Sequence, residues 1–105
     1  MSQKEKNAII EKKLQEEFEE IQRKYPDVPK TTLGGLQRYV LYGIHPGSFL
    51  TNLLSNKLVE SYAYADQRNT ASMYSWVRIL SNHIPGRCWG SKEAFKNWSG
   101  LINDN

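Results

Sequence analysis

The sequence has 105 residues, of which 39% are hydrophobic and 24% charged, so it suits one small domain with a core of its own. Its formal charge of +3 lies in residues 31–105, because residues 1–30 carry seven basic and seven acidic side chains, which cancel. An excess of three positive charges is well short of the basic stripe of a dedicated DNA binder. Because Cys88 is the single cysteine, an intrachain disulfide and a thiolate metal cage are excluded. The sequence has no signal-peptide pattern and no run of roughly 18 apolar residues, so we expect a cytoplasmic protein that enters no membrane.

The N-terminal segment predicts one long amphipathic helix from about Lys4 to Lys24, in which Ser2 and Glu5 have the spacing of a capping box. Apolar side chains recur there every three or four residues and form one narrow stripe, which comprises Ile10, Leu14, Phe18, Ile21 and Tyr25. Such a stripe needs a partner surface. We expect it to pack against the body of the domain, and the alternative is association with a second copy of the chain.

Two prolines make the segment 25–29 a stiff hinge after this helix, because each proline fixes a backbone angle. We therefore divide the chain into residues 1–30, a charged helix with its proline hinge, and residues 31–105, a helical core domain. In the core domain, a threonine at position 31 or 32 caps a second helix that runs to about Tyr42.

Gly43 is placed where a helix ends in a left-handed residue, and Pro46-Gly47 suits the central positions of a type II turn. Ser48 then caps a third helix. We expect this helix to bend near residues 55–56 and to continue to about Arg68.

The remaining segment predicts two more helices. Thr70 caps the first, from Ala71 to about His83, and its apolar face contains Met73, Trp76, Val77 and Leu80. Ser91 caps a short last helix that holds Phe95 and Trp98, with residues 101–102 folding back onto it. Because no segment alternates with period two for long, the sequence predicts an all-α fold, a compact bundle of five to six helices with a long N-terminal one.

The chain has three Trp and six Tyr residues, and several of them lie close to a basic or polar side chain. These rings either fill a small core while their polar tips reach water, or form a stacking platform with Arg38 or Arg68 for a flat ligand. On the second interpretation the candidate ligand-binding residues are Arg38, Tyr39, Tyr42, His45, Asn56, Asp66, Arg68 and Trp89.

Few residues point to chemistry. The turn 43–48 precedes a helix whose free N–H groups could bind an anion beside His45. The need to form a turn also accounts for the two glycines of this segment. The phosphate-loop pattern GxxxxGK[ST] is absent from the sequence. Cys88 beside Trp89 is typical of a small buried hydrophobe, since a nucleophile would need His45 or His83 as its base. We expect no catalysis, no metal site and no cofactor.

Several separated pieces of the sequence recur together in one group of proteins. They are Arg38-Tyr39, Gly43-Ile-x-Pro-Gly-x-Phe-Leu50, Asn56-x-Leu58, Ala65-Asp66, Pro85 and Cys88-Trp-Gly-Ser91. In this pattern the chain resembles a family of short bacteriophage and prophage proteins, which typically have GIPPGGFL, ENDL, AD and CWGS in that order. The resemblance covers about residues 33–98 and departs at His45 and Lys57, where proline and aspartate are usual. The resemblance implies that the chain is encoded by a phage accessory gene, and it implies no particular activity.

Three functions remain open at this stage. The first is an accessory protein that acts by binding, as a counter-defence factor that blocks a host defence protein or sequesters an anionic nucleotide-like signal. The second is a nucleic-acid-binding regulator, suggested by a helix–turn–helix-like pair at 32–42 and 48–55, although the second helix of that pair carries no Arg or Lys. The third is a phage assembly protein that forms a homo-oligomer through its N-terminal helix.

Overall fold

The computed structural model describes residues 1–102, and residues 103–105, the end of the expected core domain, lie outside the described residues. The described part is all-helical, without a strand, which confirms the predicted fold class. It contains seven α-helices instead of five to six, together with one 3-10 turn at Gly86–Cys88. The helices are α1 (Gln3–Lys24), α2 (Lys30–Tyr42), α3 (Ser48–Leu54), α4 (Leu58–Tyr64), α5 (Gln67–Ala71), α6 (Met73–His83) and α7 (Lys92–Asn97).

The long first helix forms as the sequence predicts. Ser2 and Glu5 make both hydrogen bonds of the capping box, and Tyr25 ends the helix. The predicted stripe faces α2 and α6, with Phe18 and Ile21 buried and Leu14 packed at the edge of the core. The apolar stripe of α1 is therefore covered by the chain itself.

The connection between α2 and α3 differs from the expected turn. Gly43 ends α2 in the left-handed conformation, with φ of 71°, as predicted. Gly47 has φ of −67°, whereas a type II turn needs a positive φ at that position. Gly47, not Ser48, is the N-cap of α3, and it makes no side-chain capping bond. The N-cap of α2 is likewise Pro29 instead of a threonine.

The predicted bent helix from Ser48 to Arg68 is divided into α3, α4 and the first residues of α5. Asn56 adopts a positive φ of 63°, which ends α3 and lets α4 begin in a new direction at Leu58. A second break follows because the Asp66 carboxylate accepts a hydrogen bond from the Asn69 N–H and caps α5. Thr70 therefore lies inside α5 and caps nothing, and these two breaks account for the larger number of helices.

The C-terminal segment packs back onto α2. Ser91 caps α7 by accepting a hydrogen bond from the Ala94 N–H at 3.0 Å, as predicted. Leu101 and Ile102 donate backbone hydrogen bonds to Val40 and Leu41 of α2, so these last described residues satisfy carbonyls at the end of α2.

The helices enclose one core. Its fully buried side chains include Ile21, Leu36, Tyr39, Val40, Leu54, Trp76 and Ile79, which come from α1, α2, α3 and α6. The sequence places Val77 on the apolar face of α6, but Val77 is exposed. Ile79, which is not assigned to that face, is buried. Across residues 1–102, no helix combines the length and the apolar composition that crossing a membrane would need.

Candidate functional site

A cleft of about 510 Å³ opens between α2 and the segment that leads into α3. Its volume lies within the roughly 300–1,000 Å³ that is typical of small-molecule sites. We refer to it as the α2–α3 cleft. Its lining residues are Thr31, Thr32, Gly35, Arg38, Ile44, His45, Pro46, Gly47, Ser48, Phe49, Leu50, Tyr64 and Asn69.

Arg38 is exposed on α2, and its guanidinium lies over the preceding helical turn. A Cβ atom placed on Gly34 would lie 3.4 Å from Nη1 of Arg38, and one placed on Gly35 would lie 3.8 Å from Nη2. Glycine inside a helix costs up to about 1 kcal/mol relative to alanine, so this pair is unfavourable for the helix by itself. The two glycines leave the surface of α2 bare beneath the guanidinium, and Gly35 lines the cleft itself.

The positive charge of Arg38 is not neutralised within the described part of the chain. The ion pairs found in residues 1–102 join Arg23 to Glu20 and His83 to Glu17, and the Arg38 guanidinium takes part in no ion pair or hydrogen bond there. A guanidinium offers a planar fork of donors that matches a carboxylate or a phosphate in a bidentate arrangement. Arg38 therefore makes the α2–α3 cleft suitable for an anion.

Two exposed aromatic side chains, His45 and Tyr64, also line the cleft. The His45 ring packs against the Phe95 ring with 5.0 Å between centroids, and Phe95 stacks on the buried Tyr39 ring at 5.1 Å. The imidazole thus rests on the core while His45 itself remains exposed. Tyr64, at the end of α4, is 62% exposed. Exposed rings beside a cation are the groups that hold flat anionic ligands.

A buried hydrogen-bond chain supports one wall of the cleft. Trp76 Nε1 donates to Asn69 Oδ1 at 3.0 Å, and Asn69 Nδ2 donates to Thr32 Oγ1 at 3.3 Å. Because the Thr32 hydroxyl oxygen accepts from Asn69, its proton remains available to donate elsewhere. The chain thus holds in place a hydroxyl that lines the cleft and has a proton to donate.

Of the candidate residues from the sequence, Arg38 and His45 line the α2–α3 cleft together. Tyr39 does not, because it is fully buried and its hydroxyl donates to the backbone oxygens of Cys88 at 2.8 Å and Phe95 at 3.3 Å. Burial raises the pKa of Tyr39 above its ordinary value. Tyr39 is a packing residue of the core.

The other candidates lie at three different places. Tyr42 lines a second cleft, of about 590 Å³ between α1 and α2, where its hydroxyl donates to Glu11 Oε1 at 3.2 Å; Arg38 borders this cleft as well. Asn56 and Trp89 line a small pocket beside α4. Asp66 caps α5, and Arg68 is exposed on that helix. Arg38, Tyr42 and Trp89 therefore do not converge on one cavity.

Cys88 is shielded from solvent. Its Sγ donates to the Pro85 carbonyl oxygen at 3.1 Å, and burial raises the pKa of the thiol to about 11. A protonated, inaccessible thiol is a poor nucleophile. Among residues 1–102, no three His, Cys, Asp or Glu side chains are grouped so that they could hold a metal ion.

Comparison with protein-family models, with curated proteins and with solved structures finds no match. Thr31, Thr32, Tyr64 and Asn69 were not among the sequence candidates, because the fold alone brings these separated positions together. The adjacent glycines at 34 and 35 inside a helical segment were a local signal of a site that needs a bare helix surface.

Proposed function

We propose that this chain acts by binding and that the α2–α3 cleft holds a small anionic ligand with a flat ring, such as a nucleotide. The observation that carries the proposal is the exposed Arg38 guanidinium, which has no carboxylate partner in residues 1–102 and borders a cleft of ligand size. An exposed, unpaired guanidinium elsewhere would be an ordinary solvated charge. Here it stands beside exposed His45 and Tyr64 rings in one concave site.

Each part of the proposed ligand has a matching group. The Arg38 fork takes the phosphate or carboxylate, and the Thr32 hydroxyl adds a donor. The ring of the ligand stacks on His45 or Tyr64. A hydrogen bond to a charged group contributes about 1.5–3 kcal/mol, so removing the Arg38 side chain is expected to weaken binding by roughly 10- to 150-fold.

The biological setting in this proposal rests on the sequence resemblance to short phage and prophage proteins. We place the chain in the cytoplasm of an infected or lysogenic bacterium, as a phage-encoded accessory protein. There it sequesters an anionic nucleotide signal of the host defence or occupies a host defence protein. We assign no reaction to the cleft, and the buried, protonated Cys88 supports a binding role without covalent chemistry.

Isothermal titration calorimetry tests the proposal with defined probes: a nucleoside monophosphate, a nucleoside diphosphate, a cyclic mononucleotide and a cyclic dinucleotide. At least one is expected to bind the unaltered chain, and Arg38→Ala should lose most of that affinity. Arg87→Ala is the matched control, because Arg87 is exposed but lies over the Trp98 ring, away from the cleft.

No binding of any probe at millimolar concentration would rule out the nucleotide ligand, and equal affinity in Arg38→Ala would remove Arg38 from the site. A duplex DNA probe at low salt forms a separate arm. Binding of duplex alone, with affinity that falls steeply as salt rises, would replace this proposal by the nucleic-acid-binding one.

A further inference from the structure

The short helix α4 buries one small polar side chain, Ser61, and exposes its large apolar ones. Ser61 is fully buried, and its hydroxyl donates to the Leu58 carbonyl oxygen at 2.7 Å within the helix. In contrast, Leu58 is 56% exposed, Val59 is 77% exposed and Tyr62 is exposed as well. A surface helix normally turns its apolar stripe toward the core, and α4 does not do so.

Helix α6 extends this apolar area. Tyr74, which is 75% exposed, and Val77 lie one turn apart on α6, and Val77 lines the same pocket as Leu58 of α4. We call Leu58, Val59, Tyr62, Tyr74 and Val77 the α4–α6 surface. Together they expose on the order of 500 Å², which matches the largest apolar patch of a typical monomer, and such patches are often functional.

We infer that the α4–α6 surface binds a second copy of the same chain, so that the protein forms a two-fold symmetric dimer. A two-fold interface must be complementary to itself. This surface contains a pocket of about 110 Å³, lined by apolar side chains that include Leu53, Leu80 and Trp89. It also contains protruding side chains, of which Val59 is the most exposed. One surface thus supplies both the pocket and the group that fills it in the other copy.

The charges around the surface are also self-complementary. Lys57 and Glu60 flank the apolar residues of α4, and Arg78 lies on α6 with its guanidinium 6.0 Å from the centre of the Tyr74 ring. None of the three forms an ion pair in the part of the chain that the structure describes. When α4 of one copy lies on α6 of the other, Glu60 meets Arg78 of the second copy, twice by symmetry. A uniformly acidic partner would place like charge against Glu60, and a uniformly basic one would place like charge against Lys57 and Arg78.

The N-terminal helix offers a weaker surface for association. Its apolar stripe is already used inside the chain, since Phe18 and Ile21 are buried. The exposed apolar side chains that remain at this end are Met1 and Ile9. Most of the exposed large apolar side chains in residues 1–102 are thus on α4 and α6.

The size of the surface sets the expected strength of the dimer. Two copies of an area near 500 Å² bury on the order of 1,000 Å², which is at the low end for specific interfaces. We therefore expect a micromolar dissociation constant and a mass that depends on concentration, rising from 12.2 kDa toward twice that value. Sedimentation velocity of the full chain from about 1 to about 300 µM covers this range.

Val59→Asp and Val77→Asp are each expected to weaken dimerisation by at least about tenfold, because each places a charge at the centre of the apolar contact. Ile9→Asp is the matched control on α1 and should leave the dimer unchanged. Circular dichroism and thermal unfolding establish that each variant is folded, and the exposure of all three side chains makes folding the expected outcome.

Charge reversal tests that the partner is a second copy. Glu60→Arg alone should weaken the dimer by several-fold, because it faces Arg78 of the other copy, and adding Arg78→Glu to the same chain should restore it. A chain that stays monomeric up to the highest concentration overturns the inference. A dimer that persists in the two Val→Asp variants, or that the double reversal does not restore, overturns it as well.

Discussion

The Tyr39 hydroxyl donates a hydrogen bond to the Cys88 carbonyl oxygen, 2.8 Å away and 49 positions further along the chain. The backbone oxygen of Tyr39 in turn accepts from Trp98 Nε1 at 2.9 Å. Both ends of this residue thus join α2 to the C-terminal third of the chain. The Cys-Trp-Gly-Ser turn, which the sequence singles out, is in this way attached to the helix that carries Arg38.

Tyr39→Phe is expected to lower the free energy of unfolding by about 1–2 kcal/mol, because it leaves the Cys88 carbonyl oxygen without this donor. Urea unfolding measures the loss. Tyr42→Phe is the control, since Tyr42 is exposed and its change should stay within about 0.5 kcal/mol. Equal losses in the two variants would contradict a special role of the Tyr39 hydroxyl.

Stability is expected to fall as the pH rises above about 9. Burial raises the pKa of Cys88 from 9.0 to about 11, and burial also raises the pKa of Tyr39. The unfolded chain therefore loses these protons at a lower pH than the folded chain, and alkaline solution favours unfolding across this range. Cys88→Ala should reduce the slope of stability against pH between about 9 and about 11.

The same burial predicts that native Cys88 resists alkylation. Iodoacetamide at pH 8 should label the thiol slowly in buffer and quickly in urea, because thiolate formation and access both require unfolding. Labelling at the same rate in both solutions would show that the thiol is not buried in this way.

Gly43 and Gly100 allow two backbone segments to touch. A Cβ on Gly43 would lie 2.6 Å from the Ser99 carbonyl carbon, one on Gly100 would lie 2.5 Å from the Leu41 oxygen, and both glycines have positive φ. Alanine at either position is expected to cost about 2–4 kcal/mol, from strain and from steric overlap. Gly86→Ala is the control, because its Cβ would meet nothing within 4 Å, and differential scanning calorimetry of the three variants compares them. A loss for Gly86→Ala as large as the other two would argue against this explanation.

Gly34→Ala is expected to raise the free energy of unfolding, whereas alanine at Gly43 or Gly100 is expected to lower it. Its Cβ would touch only Nη1 of the Arg38 guanidinium, at 3.4 Å, and alanine favours the helix by up to about 1 kcal/mol. Thermal unfolding should therefore show a rise in the free energy of unfolding of about 0.5–1 kcal/mol. A loss of stability would mean that the bare surface at Gly34 is needed for packing and not only to seat Arg38.

Local signals in the sequence predicted a good part of the fold. The capping box at Ser2, the left-handed Gly43 and the cap at Ser91 each depend on residues within one helical turn, and all three are observed. The sequence predicted a bend at residues 55–56, where the structure ends α3, and it did not predict the break between α4 and α5. Asn56 takes a positive φ that few side chains other than asparagine tolerate, and Asp66 competes with Thr70 as a cap, so sequence spacing alone did not decide between them.

The site was harder to predict because it is assembled from distant positions. Arg38 and His45 were recognised from their polar character, and they do line one cleft. Tyr39 was included for the same reason, although its hydroxyl is satisfied by backbone oxygens that the sequence does not reveal. Tyr64 and Asn69 follow Thr32 by more than thirty residues, so only the packing of α4 and α5 brings them to this cleft.

The most direct test of the α2–α3 cleft is a titration of the ¹⁵N-labelled chain with the tightest-binding nucleotide probe, followed by amide chemical-shift mapping. The account predicts that the largest shifts occur at Thr31, Thr32, His45, Ser48 and Tyr64, and that Arg38→Ala reduces them. Largest shifts at Glu11 and Tyr42, in the cleft between α1 and α2, would contradict it, as would an unchanged titration in Arg38→Ala.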